Sequence, residues 1–383
     1  MDNLTHSFVG LVAAKAGLER FSPGATLLCL IAANGPDSDI AVLPFGDRWT
    51  YLQHHRGITH SIIGVLFLAL LIPVLFYFFD LIRARVRNNE RKVKLKGLII
   101  ASLIASATHP ILDWTNNYGI RPFLPWNSQW FYGDLVFIVD PYMWLILGGA
   151  AFLLGAKKIS GKVIWGIVAT VPTLLIVANP RSGSLPGSRF FAVFWIAAII
   201  GLILLFLKGA GDRWGRKIAF TSLALVVCYW SLLAVAHSRA LTRASQEAQQ
   251  IASSNGESIT RLAAMPRLAN PFRWDCVFET DRASYRFDVG LISAAQSRPT
   301  VRYIHPAGEL RESVEVVSQQ RAAQVFLGFA RFPVTKLADP GCASRTLVQF
   351  ADLRYTEPGQ SRGSFTLELP VDCPDPQQEH ERN

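Results

Sequence analysis

Charge is scarce in this chain and cysteine is scarcer. Asp, Glu, Lys and Arg make up 17% of its 383 residues, and there are only five cysteines and three methionines. A hydrophobic content of 50% with so little charge excludes a disordered chain. The same composition excludes collagen-like and disulfide-dense secreted architectures. Acidic residues are lacking most in residues 1–237, which hold 11 Asp and Glu against 21 Lys and Arg, whereas residues 238–383 hold 17 of each. The formal charge of +10 therefore belongs wholly to the first part. An even spread would have pointed to nucleic acid; this one does not, and no nucleic-acid partner is expected.

What the first part has in abundance is long apolar runs. Residues 61–82, 97–113, 135–154, 163–179, 190–207 and 218–236 are each close to the roughly 17–25 residues that a helix needs to cross a bilayer core. The connections 83–96, 157–162 and 208–217 carry fourteen of the 21 positive charges and alternate with the weakly basic stretches 35–60, 114–134 and 180–189. The positive-inside bias puts the three basic connections in the cytoplasm, so the run 83–96 reads as a solvated loop that sets orientation. The N-terminus has no basic segment ahead of its apolar stretch, so a cleaved signal peptide is not expected. Residues 4–17 and 24–34 read as two short helices joined at Ser22-Pro23-Gly24, and at about 1.5 Å per residue neither spans the hydrocarbon core.

The expected fold is mainly α. A polytopic helical membrane domain over 1–237 combines that hairpin with six transmembrane helices. A polar helix or linker follows over 238–262, and a β-rich α+β domain occupies 263–383. Its expected strands are 274–280, 284–290, 301–304, 323–334, 345–355 and 363–371, alternating and separated by turn residues. The charge bias makes this domain extracytoplasmic in a multi-pass inner-membrane protein. In that compartment Cys276, Cys342 and Cys373 allow one disulfide and one spare thiol, and the sequence leaves the pairing open.

Five of the eight histidines fall within the first 109 residues: His6, His54, His55, His60 and His109. Three follow a threonine. In the expected topology all five lie at the outer ends of membrane segments, accompanied by Asp37, Asp39, Asp113, Asp134 and Asp140. Ionisable groups at membrane depth are costly, so such a cluster is a candidate functional site. Each element also has an ordinary explanation. His6 fits an interfacial histidine bonded to a carbonyl, Asp37-Ser38-Asp39 fits a turn and helix cap, and His54, His55 and His60 fit a polar loop. His109 and Asp113 are four apart and share a helix face, although Pro110 predicts a helical break at His109. His237, His305 and His380 are expected to be ordinary surface or interfacial residues.

Imidazoles and carboxylates without thiolates suit zinc or another borderline-to-hard divalent metal, and more than four candidates suggest two or three ions. Such a cluster acidifies bound water and stabilises charge on a phosphoryl or carbonyl oxygen. Arg56 is placed to clamp a phosphate or carboxylate, or to act as an interfacial anchor.

The series Thr5-His6, Pro36-Asp37-x-Asp39, His55-Arg56-Gly57-x-Thr59-His60-Ser61, His109-Pro110-x-x-Asp113-x-x-Asn116-x-Tyr118-Gly119, Pro122-Phe123 and Gly133-Asp134…Asp140-Pro141 resembles the membrane-bound metal-dependent hydrolases of bacterial inner membranes. That family is distantly similar to zinc-dependent phospholipase C and P1-type nucleases. The resemblance covers residues 1–155 and implies His6, Asp37, Asp39, His55, His60, His109 and Asp113 as metal ligands. Asp134 and Asp140 match positions of undefined role. Asn34-Gly35 stands where aliphatic residues are expected before the first acidic motif. The expectation is a hydrolase acting at the periplasmic face on a phosphoester or related bond of a lipid or amphipathic substrate. Asp37 or Asp39 positions or deprotonates water, and Arg56 neutralises the oxyanion. The alternatives are a lipid amide hydrolase using the same metal and a non-catalytic metal-binding or transport protein. The latter ranks lower because helices 61–82, 163–179 and 190–207 have almost no polar interior. Substrate and oligomeric state are not legible.

Overall fold

The computed structural model describes residues 1–88, 90, 92–156, 159–177, 188–292, 299–339, 345–360 and 363–372. Cys342, Cys373, His380 and most of the 180–189 stretch lie outside the described residues. The chain forms two compact units, 1–38 with 56–234 and 39–55 with 235–383.

The first unit is helical. Helix α1 (Asn3–Ala16) is capped by Asp2, whose carboxylate accepts from the Thr5 N–H at 3.0 Å and the Thr5 hydroxyl at 2.7 Å. Helix α2 (Ala25–Asn34) continues as a 3-10 helix over Gly35–Phe45. Pro36 causes the change of pitch: it has no N–H for the Ala32 carbonyl, and the Gly35 N–H bonds that carbonyl instead. Together, Ala25–Phe45 make a 21-residue apolar stretch, longer than the half-depth hairpin arm expected for 24–34. Helices α4 (Ile62–Val86) and α5 (Leu95–Trp114) are also long and apolar enough to cross a membrane, as is α10 (Ala210–Asn255). The remaining helices have shorter apolar segments: Pro141–Gly155, which holds α6 (Pro141–Met143) and α7 (Gly149–Gly155), Gly161–Leu174 in α8 (Ile159–Val177), and Phe191–Leu207 in α9 (Ser188–Leu207). The run 135–154 turns helical only at Pro141, where Asp140 caps the start through the Tyr142 and Met143 N–H groups at 2.8 and 3.0 Å. On α4, Phe67, Leu75 and Phe79 are more than half exposed, as lipid-facing side chains would be.

Small residues set the packing. Helix α2 buries Ala25, Leu28, Cys29 and Ala32 against Leu98, Ala101 and Ala105 of α5, and without large side chains the backbones come close. Gly10 lets α1 approach α2 as closely, since a β-carbon there would stand 2.6 Å from the Cys29 carbonyl oxygen. The break expected at His109 does not occur. Pro110 sits inside an unbroken α5, so His109 and Asp113 keep their shared face.

In the second unit the C-terminal part of α10, from Val235, supplies Ala240, Ala244, Ala248 and Ala252 to one face of an antiparallel sheet. The polar helix or linker expected from residue 238 is a helix through Asn255, a direct extension of the last apolar helix. The sheet has the order β1 (Ile259–Arg267), β2 (Asn270–Thr280), β3 (Ala283–Gly290) and β4 (Val301–Ile304). A second antiparallel sheet joins β5 (Pro333–Leu337), β6 (Arg345–Asp352) and β7 (Thr366–Asp372). Between them lie α11 (Gly308–Ser318) and α12 (Arg321–Phe329). The strand expected over 323–334 is therefore largely helix. Ala323, Phe326 and Phe329 recur every third residue and are buried, a helical period that outweighs β-branched and aromatic content. Residues 39–55 also belong to this unit. Their short helix α3 (Arg48–His54) packs Trp49 edge-on against Phe326, 6.4 Å between centroids, and Arg321 donates to Thr50 Oγ1 at 2.9 Å.

Cys276 is a free thiol in the sheet core, where burial pushes its pKa well above the ordinary range. It will resist maleimide in the folded protein and react only on unfolding. Gly10→Val should lower stability by about 1–3 kcal/mol by forcing α1 from α2, read as a drop in thermal midpoint in detergent.

Candidate functional site

The residues that the first unit gathers come from four places in the chain. His6 lies in the first turns of α1, fixed by the Asp2 cap and by Trp144, whose indole N–H lies 3.1 Å from Thr5 Oγ1. Asp37 follows Pro36 in the 3-10 segment. His60 ends a 3-10 turn (Ile58–His60) ahead of α4, and Ser61 caps that helix through the Gly64 N–H at 3.1 Å. His109 and Asp113 lie on the last turns of α5. His6, His60 and His109 are completely buried and Asp113 nearly so.

The polar atoms converge. His60 Nε2 is 3.1 Å from His109 Nε2, 3.3 Å from Asp37 Oδ1 and 3.4 Å from Asp113 Oδ2. His109 Nε2 is 3.5 Å from each of the same two carboxylate oxygens. Four ligands around a tetrahedral metal at about 2.0–2.1 Å would be separated by about 3.3–3.4 Å. The five distances bracket that edge length.

The tautomers agree with this arrangement. The Ala33 carbonyl, which Pro36 cannot serve because proline has no N–H, takes a hydrogen bond from His109 Nδ1 at 2.7 Å. A carbonyl only accepts, so Nδ1 carries the proton and the Nε2 lone pair faces the cluster. His60 Nδ1 lies 3.2 Å from the Thr59 hydroxyl, which turns its Nε2 to the same place. Two imidazole nitrogens meeting at 3.1 Å need a proton or a cation between them. These outer contacts are of the kind that orient metal-bound histidines. Asn3 adds another, donating from Nδ2 to Asp37 Oδ2 at 2.9 Å.

His6 stacks on His109, 3.7 Å between centroids, with its Nε2 3.4 Å from Asp113 Oδ1. Neither of its ring nitrogens makes a hydrogen bond, an expensive arrangement for a buried imidazole unless it serves as a ligand. Asp113 Oδ1 also receives Arg56 Nη2 at 3.0 Å and the Met1 amino nitrogen.

Arg56 is itself buried and has φ of 51°, unusual for a non-glycine residue. Its Nη1 donates to the Gly119 carbonyl at 2.9 Å and to Asn116 Oδ1 at 3.1 Å, and its guanidinium lies 4.6 Å over the Tyr118 ring. Its fork therefore grips Asp113 and the 116–119 turn. Asn3, Asn116 and Trp144 acquire supporting roles that residue type and spacing did not assign. Asn116 and Tyr118 did stand in the motif series, which was the available signal.

The other candidates lie outside that set of four. In the second unit His55 Nδ1 pairs with Asp39 Oδ2 at 3.3 Å, and its ring stacks on Tyr51 at 4.8 Å. His54, at the end of α3, is exposed. Asp140 is a helix cap that also accepts from the Tyr229 hydroxyl at 2.9 Å. Asp134 is buried in a left-handed conformation, φ 53°. His237 packs on Trp274, 5.3 Å between centroids.

An apolar helical unit with buried imidazoles and carboxylates at the ends of its helices defines a membrane protein able to offer one ligand atom from each of Asp37, His60, His109 and Asp113 to a metal ion. The comparisons agree with the membrane assignment. The family described as YdjM inner membrane protein matches residues 1–184, a stretch containing every residue of the cluster. YfhP of Bacillus subtilis (strain 168), described as an uncharacterized protein, is 27% identical over 155 residues, covering 38% of this chain and 43% of that protein. The chain thus matches less than half the length of that relative. No solved structure matches.

Arg56→Met leaves the Asp113 carboxylate with one charged partner fewer in an apolar setting. The expected cost is about 3–5 kcal/mol of stability, measured by thermal unfolding in detergent.

Proposed function

We propose that this protein is a metal-dependent hydrolase of the inner membrane acting on a phosphoester or related bond of a lipid or amphipathic substrate, with its site and β-rich unit on the extracytoplasmic side. The observation that carries the metal is the set of near-tetrahedral distances among Asp37, His60, His109 and Asp113, together with the unbonded ring of His6. Zinc fits two imidazoles and two carboxylates without thiolates. The four-residue set accounts for one ion. His6, and His55 with Asp39, supply the donors for further ions.

Bound there, a divalent metal supplies a Lewis acid and lowers the pKa of water. The protein's own groups do the rest. Ala33 and Thr59 hold His109 and His60 in the orientation that presents Nε2. Asn3 ties one oxygen of Asp37 and so turns the other to the cluster as a ligand, which leaves Asp39 as the carboxylate to position or deprotonate water. Arg56 positions Asp113 and adds positive potential beside the oxygens on which charge develops. The lipid preference follows from location, since the cluster sits where apolar helices end and headgroups are the abundant phosphoesters.

Elemental analysis of the purified protein tests the reading. Wild type should carry zinc or manganese, and His60→Ala with His109→Ala should lose it. Metal-free wild type, or unchanged content in the double variant, would sink the proposal. Asn3→Ala, which frees Asp37 without removing a ligand, should weaken metal retention against a chelator by about tenfold. Incubation with extracted lipids then separates phosphoester cleavage, releasing phosphate-bearing products, from amide cleavage, releasing acyl products.

A further inference from the structure

Inside the first unit, the helical run Pro141–Gly155 stands among α1, α8 and α9, and the four leave an apolar cavity of about 310 Å³ between them. Each wall follows a helical face. Leu4 and Phe8 line it from α1, Trp165, Ala169 and Pro172 from α8, and Trp195, Leu202 and Phe206 from α9. On the fourth side Trp144 and Gly148 belong to a π-helical turn (Trp144–Gly148), and Phe152 lies about one turn further on. The walls meet one another: Phe8 stacks on Trp165, 5.5 Å between centroids, and Phe152 lies 4.8 Å from Phe206. Gly148 admits the Phe8 ring, since a β-carbon there would stand 2.9 Å from it. A β-carbon at Gly166, also on the lining, would meet nothing within 4 Å.

The two ends of the cavity differ. Lys162 of α8 meets Phe206 of α9, and Thr173 meets Trp195, so the two helices run antiparallel and the space between them is about 16 Å long, the rise from Trp195 to Phe206. At one end the Trp144 indole N–H lies 3.1 Å from Thr5 Oγ1, beside His6, and the Trp195 N–H donates to Thr173 Oγ1 at 2.8 Å. Both indole protons are therefore taken by residues off the lining, and this end offers hydrocarbon and ring faces. At the other end is Lys162, the one charged side chain among the described lining residues. Its Nζ lies 5.5 Å over the Phe206 ring, and it forms no ion pair among the described residues.

We propose that this cavity holds one acyl chain of an anionic phospholipid whose phosphate pairs with Lys162. The walls select hydrocarbon: water has too few polar partners there to stay, whereas a chain makes dispersion contacts on every side. A volume of 310 Å³ drawn out over about 16 Å is narrow, suited to a single chain and not to a headgroup. The unpaired ammonium at the rim selects the sign of the head. The source is the surrounding bilayer, since Val163 and Ile167 of α8 and Val193 and Ile200 of α9 are more than half exposed, as lipid-facing side chains would be. The head lies at the end of the cavity remote from His6 and its partners. This lipid is therefore a resident that joins α8 and α9 to α1, and not the substrate of the metal cluster.

Native mass spectrometry of the full chain, delipidated in detergent and titrated with phosphatidylglycerol, phosphatidylcholine or oleate, tests this. Wild type should hold one phosphatidylglycerol and retain it several-fold better than either of the others. Ala169→Phe, which puts a ring into the cavity, should lower phosphatidylglycerol binding several-fold, and Gly166→Phe makes the same test should the first variant fail to fold. Ile167→Phe, on the exposed face of the same helix, should bind as wild type does. Lys162→Gln should bring phosphatidylglycerol down to the level of phosphatidylcholine. Undiminished binding in the cavity-filling variants, an undiminished preference in Lys162→Gln, or equal or better retention of phosphatidylcholine or oleate by wild type would overturn the proposal. Metal content does not enter this readout, so it stands or falls apart from the hydrolase reading.

Discussion

A carboxylate at the end of an apolar helix stays ionised only if donors or cations surround it, and Asp113 is the residue around which the first unit is organised. Arg56 and the Met1 amino nitrogen meet one of its oxygens, and His60 and His109 face the other. Each of these partners requires its own local structure. Arg56 reaches inward from a left-handed backbone conformation, and its fork is completed by the Asn116 and Gly119 oxygens of the turn that follows α5. An isolated buried charge costs several kcal/mol, so the loop 56–61 and the turn 116–119 are held in place by the same electrostatic demand.

The imidazoles are arranged by backbone as much as by one another. Helix α2 changes pitch before Pro36, which has no N–H for the carbonyls ahead of it, and donors from α5 complete their bonding. Ser106 Oγ supplies one to Ala32 at 3.2 Å, and His109 Nδ1 supplies one to Ala33. Satisfying the helix end and choosing the tautomer of His109 are thus a single interaction. The alanine-rich contact of α2 with α5 serves the same purpose, because a larger residue at Ala32 or Ala33 would move the carbonyls away from those donors.

Much of this was legible in the sequence. The apolar runs gave the helices, and the kinds and spacing of His6, Asp37, His60, His109 and Asp113 gave the cluster, since imidazole and carboxylate have few reasons to recur at the ends of apolar segments. Other parts were not. The three Thr-His pairs look like one repeated device, yet Thr5 bonds the Asp2 cap, Thr59 meets the His60 ring, and Thr108 donates to the Ala105 carbonyl at 2.6 Å. Which unit residues 39–55 join was decided by the packing of Trp49 on Phe326, and a pairing 277 residues apart leaves no periodic trace in one sequence. Residues 323–329 have the aromatic content of a strand, but their buried positions recur every third residue, and that period makes them helix.

Pro110 shows why local rules underdetermine a membrane site. In an isolated helix it removes a hydrogen bond and crowds the carbonyl four residues back, a cost of about 3 kcal/mol or more, and a break at His109 would be the cheaper course. Within α5 the neighbouring turns are held from outside: Ser106 and His109 bond α2 carbonyls, while Asp113 is gripped by Arg56. Breaking the helix would separate His109 from Asp113 and leave a carboxylate, an imidazole and the Ala33 carbonyl short of partners in apolar surroundings. Several buried polar groups outweigh one lost backbone bond, so the helix continues through the proline. The His-x-x-x-Asp spacing keeps its meaning for that reason, and the polar cluster that a metal would use is also what holds the end of α5 helical.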